Sequence, residues 1–259
     1  DIYPTIGLNS PPRDFQSDEW LYRDLTEEIR RHLDESPTWM GNIPVVFGEF
    51  GTYFNFGGQP ESEANGYTIS SHILNAYYEA FEELNTGNMV WCFSAENDAE
   101  KGEWWNHEDF SIIGPDGSPR GWTAYSRTHA RATSGRLLGQ KFMSQYHFWD
   151  PALGIPPPER TYTLRMEARE SDAATEVFVP ARQYPDGFYV WISDGEVFFD
   201  HLHRVLYWYP QVQVPGQDHT LRIEPPIEDR EARGWRLFVQ ENMTLLGNGD
   251  IATIGGALP

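Results

Sequence analysis

Cysteine is almost absent from this chain: Cys92 stands alone. An internal disulfide is therefore excluded, and cysteine usage does not report the compartment. Lysine is nearly as scarce, with Lys101 and Lys141 the two examples among 19 basic residues. Acidic residues number 39, and the formal charge is −20. A nucleic-acid partner is not expected, because phosphate binding needs a basic face. An anionic membrane surface is disfavoured on the same ground. No apolar run is long enough to span a bilayer, so no transmembrane segment is expected. Aromatic residues, by contrast, are plentiful: 10 Trp, 13 Tyr and 15 Phe in 259 residues. Such numbers suit stacking platforms for ligands, and they equally fill cores. The length allows one large domain or two ordinary ones.

The chain is organised around Ile43-Pro-Val-Val-Phe-Gly-Glu-Phe-Gly51. Its apolar run is short, as in a fully buried parallel strand. At its end one carboxylate, Glu49, sits between Gly48 and Gly51. The glycines permit a sharp exit and close approach of a ligand to the backbone. An aromatic loop follows, with Tyr53, Phe54 and Phe56. An acid on a rigid strand end among aromatics suits sugar hydrolysis. A strand-terminal Glu that caps a nearby helix is the plainer alternative.

Around this strand the chain alternates. Ser17 is placed to cap a helix whose stripe is Leu21, Leu25, Ile29 and Leu33, ending at Ser36-Pro37. A second helix is expected over 68–84, with Gly87 as its left-handed stop. Asn88 to Phe93 reads as another strand, ending in Ser94-Ala-Glu-Asn-Asp98. A third helix is expected over 121–134. This is the βα alternation of a parallel sheet or barrel, with about three units where a closed barrel has eight. From about Leu138 the pattern becomes period-two runs, at 161–166, 175–179, 188–192, 204–208, 220–223 and 235–239. Turn clusters separate them, which argues for a β-sandwich. The expected fold is α/β: the C-terminal part of a (β/α)8 barrel over 1–137, then an all-β sandwich over 138–259.

Three features together resemble glycoside hydrolase family 5, whose enzymes use a (β/α)8 barrel. Pro44-Val-Val-Phe-Gly-Glu-Phe-Gly51 is similar to that family's seventh-strand nucleophile motif. Trp91 follows at the end of the next strand, like the eighth-strand tryptophan that floors the −1 sugar site. Tyr3 precedes both, like the sixth-strand tyrosine that hydrogen-bonds the nucleophile. Here Asp1 stands where the family usually has His. The β-rich half, with Thr175 to Pro180, Tyr184 to Gly187, Ser193 to Gly195 and Leu206 to Pro210, resembles the C-terminal sandwich of endoglycoceramidase-like and steryl-glucosidase-like members.

The resemblance implies retaining hydrolysis of β-glucosidic bonds, with two carboxyls about 5–5.5 Å apart. Glu49 is then the nucleophile and Tyr3 its positioning partner, keeping the carboxylate ionised. The acid/base comes from a fourth-strand Asn-Glu pair that this sequence does not contain. It is expected from an N-terminal segment, in a separate or missing chain. Glu96, in reversed order with Asn97, is not given that role. Trp91 is expected to stack on the sugar, with core packing as its alternative. Glu96 and Asn97 are expected to bond sugar hydroxyls, or else to cap their loop. Tyr53, Trp104 and Trp105, with Phe54 and Phe56, line further subsites or an aglycone pocket, or form a structural lid. Cys92 is expected to be an inert core thiol. His201 and His203 have the spacing of metal ligands on a strand, but no third ligand is evident, so no metal or other cofactor is expected. The substrate is a β-glucoside or a glucan. An endo-β-1,4-glucanase, a mannanase or a non-catalytic carbohydrate-binding fragment are the other readings.

Overall fold

The computed structural model describes residues 17–98, 100–104, 108–167, 169, 171–211, 216–226, 234–238 and 251–252. The chain divides after Tyr125 into two compact units, with Tyr146–Phe148 returning to the first. The first unit contains α1 (Asp18–Met40), β1 (Val46–Phe50), α2 (Gln59–Ala64), α3 (Thr68–Leu84), β2 (Gly87–Val90) and α4 (Trp122–Tyr125). Ser17 caps α1 by accepting the Trp20 amide at 3.1 Å, which satisfies one orphan donor of the first turn.

Helix α1 passes through Ser36-Pro37, where it was expected to stop, and ends at Gly41 with φ of 76°. Pro37 cannot donate to the carbonyl of Leu33. The Ser36 hydroxyl donates to that carbonyl instead, at 2.9 Å, so the helix continues. The second expected helix matches α3 in both ends. Its left-handed cap is Asn85, with φ of 50°, and not Gly87. Gly87 opens β2, where an added Cβ would meet the Val46 side chain at 3.0 Å. The third expected helix is only the four residues of α4. His129–Ala132 forms a strand because residues far along the chain pair with it.

Strands β1 and β2 are parallel. Phe47 and Phe50 of β1 are buried against α1 and α3, with Leu25, Ile29, Tyr77 and Phe81 in the same core. The Phe50 ring lies 5.2 Å from Tyr77 and 4.9 Å from Phe81. Burying one such ring contributes about 1.5–3 kcal/mol. The strand was expected to be buried on both faces. Its other face is open: Val46 is 54% exposed, and Met89 of β2 is 59% exposed. The strap at 146–148 rests on this unit. There His147 Nδ1 lies 2.8 Å from Glu79 Oε2, and the Tyr146 and Thr123 hydroxyls are 2.8 Å apart.

The second unit contains β3 (His129–Ala132), β4 (Arg136–Met143), β5 (Thr161–Glu167), β6 (Thr175–Phe178), β7 (Phe188–Ile192), β8 (Glu196–Asp200), β9 (Val205–Tyr209), β10 (Asp218–Glu224), β11 (Arg236–Phe238) and β12 (Ile251–Ala252). One antiparallel sheet has the order β11-β7-β10-β5-β4, and another β12-β8-β9-β6-β3. Leu164, Val190 and Leu221 of the first sheet share a buried core with Val177, Phe199 and Trp208 of the second. Each of the six period-two runs holds a strand among its described residues, and β3, β4, β8 and β12 join them. Residues 201–204 form a turn, not a strand. Within it His203 Nδ1 sits 2.6 Å from Asp200 Oδ2.

Candidate active site

Strand β1 carries one extra residue against β2. Phe47 pairs with Asn88 and Phe50 with Val90, so Gly48 and Glu49 together oppose Met89. This is the count of a β-bulge, which re-aims a side chain and recurs beside active sites. It lets both Phe47 and Phe50 face the helices, while Glu49 between them is only half-buried. The exits of the two strands are then tied together. The Trp91 amide donates to the Phe50 carbonyl at 2.6 Å, and an added Cβ on Gly51 would sit 2.2 Å from the Trp91 oxygen. Gly51 thus serves close strand approach. Gly48 has no atom within 4 Å of such a Cβ. The Trp91–Cys92 peptide is cis. Trp91 is half-buried, and its indole nitrogen is shielded with no acceptor among the described residues.

Beyond Trp91 the loop pairs with a second segment. Cys92 donates its amide to the Phe110 carbonyl at 3.3 Å, and Ile112 donates to the Cys92 carbonyl at 2.9 Å. Glu103 accepts the Phe110 amide. Its carboxyl is held above the usual range by burial, against the hydrogen bonds it receives. Cys92 is buried, and its thiol is pushed up to about 12 by burial and then by the Glu103 charge. Tyr53 packs on Phe110 with ring centroids 4.3 Å apart. Its hydroxyl is pushed up by burial, then by the charges of Glu108 and Glu103.

Glu49, Trp91 and Tyr53 therefore lie in one neighbourhood. Asn97 is buried, and its amide donates to the Ser94 carbonyl at 2.7 Å and the Ile113 carbonyl at 2.6 Å. With both donors engaged, it staples the loop. Glu96 is exposed on the adjoining turn. Trp104 is 62% exposed, with Lys101 Nζ 4.0 Å above its ring. Phe54 is fully buried beneath the Arg120 guanidinium, 4.7 Å away, and so lines no pocket. Phe56 is half-buried, 6.3 Å from the Tyr53 ring. Tyr3 and Trp105 lie outside the described residues.

Sequence reading passed over Glu108, Asp109 and Arg120. The Glu108 carboxyl is held above the usual carboxylate range by burial and then by the charge of Glu49. Arg120 is fully buried and ion-paired to Asp109 at 2.7 Å. The available signal was the aromatic-rich run ending Glu108-Asp109-Phe110, which has no periodicity to place it.

Residues 152–223 match the model of the glycoside hydrolase family 5 C-terminal domain. Ergosteryl-beta-glucosidase of Saccharomyces cerevisiae is 33% identical over 96 residues, which are 35% of this chain and 13% of that protein. A glucosylceramidase of Aspergillus fumigatus is 28% identical over 77% of this chain and 34% of its own length. The chain thus spans about a third or less of these curated relatives. Cryptococcus neoformans sterylglucosidase 1 shares the fold with a TM-score of 0.66 and 15% identity, over 83% of this chain and 35% of that one. Endo-glycoceramidase II from Rhodococcus sp. shares it with a TM-score of 0.53 and 16% identity, over 77% of this chain and 36% of that one. Residues 152–223 are thus similar to the C-terminal domain of glycoside hydrolase family 5, and the chain resembles these relatives over the shares given.

Proposed function

We propose that this chain supplies the nucleophile-bearing part of a retaining β-glycosidase acting on β-glucosides of lipid-like alcohols. One observation supports the reading: the bulged exit of β1, which carries Glu49, is joined to the exit of β2, which leads into Trp91, by the 2.6 Å bond from the Trp91 amide to the Phe50 carbonyl. Glu49 attacks the anomeric carbon and forms a glycosyl-enzyme while the leaving oxygen takes a proton. Water then attacks the same carbon and releases Glu49. The indole of Trp91 offers an apolar face to the ring. The acid/base belongs to an N-terminal segment, whose strands complete the barrel and cover Val46 and Met89. The two sheets of the second unit form a β-sandwich. The named relatives support a steryl or ceramide aglycone over a glucan.

The test is hydrolysis by the complete polypeptide of an aryl β-glucoside, a steryl glucoside, glucosylceramide and a soluble β-glucan. Glu49→Gln is expected to abolish turnover and keep binding. Retained turnover overturns the assignment of Glu49. Hydrolysis of the glucan alone overturns the lipid-glucoside reading.

A further inference from the structure

Two consecutive peptide units bridge the exits of β1 and β2. The Asp109 carbonyl accepts the amide of Phe54, in the loop that follows Glu49, at 2.8 Å. The Phe110 carbonyl accepts the amide of Cys92, next in the chain to Trp91, at 3.3 Å. The N–H between those two carbonyls belongs to Phe110, and the Glu103 carboxyl accepts it. A peptide unit is planar, so its N–H and C=O turn together. The group that holds the Phe110 N–H therefore also aims the Asp109 carbonyl at Phe54. The Phe110 side chain belongs to the same bridge. It is buried, its ring centroid lies 4.3 Å from that of Tyr53, and a Cβ added to Gly51 would meet it at 3.4 Å. Glu103 is itself firmly placed. Its amide donates to the Glu108 carbonyl at 2.9 Å, and Asp98 and Gly102 close the preceding loop by exchanging backbone bonds of 2.9 and 3.0 Å. Gly102 packs so closely that an added Cβ would sit 1.7 Å from the Glu108 oxygen. Burial opposes the charge of the Glu103 carboxyl, and the contact with Phe110 needs only an oxygen that accepts.

We propose that Glu103 is a positioning residue of the sugar site: by accepting the Phe110 amide it fixes the separation of the two exits that carry Glu49 and Trp91. This rests on the glycosidase reading of Glu49 and Trp91. Without the acceptor, the N–H of a buried residue is left unpaired, and the peptide relieves this by turning toward another partner. That turn draws the Asp109 carbonyl off the Phe54 amide and loosens the bridge at the exit of β1. The nucleophile and the floor of the sugar site then lose their fixed spacing. A misplacement of about 1 Å between reacting groups costs on the order of 10²-fold in rate.

The experiment measures kcat and KM of the complete polypeptide on an aryl β-glucoside, well below the melting midpoint of each variant. Glu103→Leu keeps the bulk and removes the acceptor. Its kcat and kcat/KM are expected to fall together, roughly 10- to 100-fold, the mark of an effect felt in the transition state. Glu103→Gln keeps an accepting oxygen and is expected to recover most of that loss. A role confined to stability would leave kcat of the folded variants unchanged. A parent-like kcat in Glu103→Leu overturns the proposal, as does an equal loss in Glu103→Gln or a loss confined to KM. If Glu103→Leu does not fold, Glu103→Asp takes its place, because the shorter side chain does not reach the Phe110 amide, and the same outcomes decide. Glu49→Gln separates the two claims. If it retains turnover, the glycosidase reading falls and the role of Glu103 falls with it. If it is inert while Glu103→Leu keeps the parent kcat, the assignment of Glu103 alone is wrong.

Discussion

Arg120 and Asp109 form an ion pair at 2.7 Å with the guanidinium fully buried and the carboxylate nearly so. Arg120 also donates Nε to the Ser111 carbonyl at 2.8 Å and covers the Phe54 ring. One side chain thus joins the loop after β1 to the segment that carries Glu108. Removing one partner of a buried pair strands the other charge, at a cost of about 3–5 kcal/mol. Arg120→Met is expected to destabilise by that amount in urea unfolding. The double variant with Asp109→Asn should recover a large part. A loss below about 1 kcal/mol for Arg120→Met would show that the pair does not anchor the loop.

The two glycines flanking Glu49 should respond differently to a methyl group. At Gly51 the new Cβ meets the Trp91 oxygen, a backbone atom that cannot step aside without moving the indole. Overpacking of this kind costs about 1–3 kcal/mol. Gly51→Ala is expected to lower both the melting temperature and turnover. Gly48→Ala meets nothing within 4 Å and serves as the tolerated control. Equal effects at the two positions would contradict the strand geometry described above.

Cys92 should be chemically silent in the folded protein. Only the thiolate reacts, and burial with the Glu103 charge holds the thiol at about 12. At pH 8, labelling by a disulfide-exchange reagent is expected to be slow in buffer and fast in urea. Rapid labelling of the native protein would place the thiol at the surface.

Glu103 predicts a pH dependence with a definite sign. Its folded value lies above the ordinary 4.5, chiefly through burial. The native state therefore binds this proton more tightly than the unfolded chain does. The stabilisation is fully present below 4.5 and is lost as pH rises through the folded value. Glu103→Gln removes this contribution. In denaturant titrations the stability gap between variant and parent should widen in the variant's favour as pH rises through that window. A constant gap would show that Glu103 does not titrate differently on folding.

Local chemistry made α3 legible to the residue, because its apolar stripe repeats at the helical period and both ends carry turn signals. It misplaced the end of α1, because the Ser36 hydroxyl stands in for the donor that Pro37 lacks. It misassigned the left-handed residue beyond α3, because Asn85 tolerates that conformation and Gly87 is needed beside Val46. It overextended the third helix, since His129–Ala132 pairs with Thr175–Phe178 and pairing partners far along the chain leave no local mark.

By itself the sequence determined the acid at a strand end, the tryptophan after the next strand and the change from helical to alternating pattern at midchain. Each is a matter of order and period within a few residues. Only the tertiary structure decided that a bulge aims Glu49 away from the helices, that Asn97 is consumed inside its loop, and that the charge of Glu49 is felt at Glu108. Those outcomes depend on hydrogen bonds, burial and like-charge proximity between segments far apart in the chain, which spacing along a sequence does not encode.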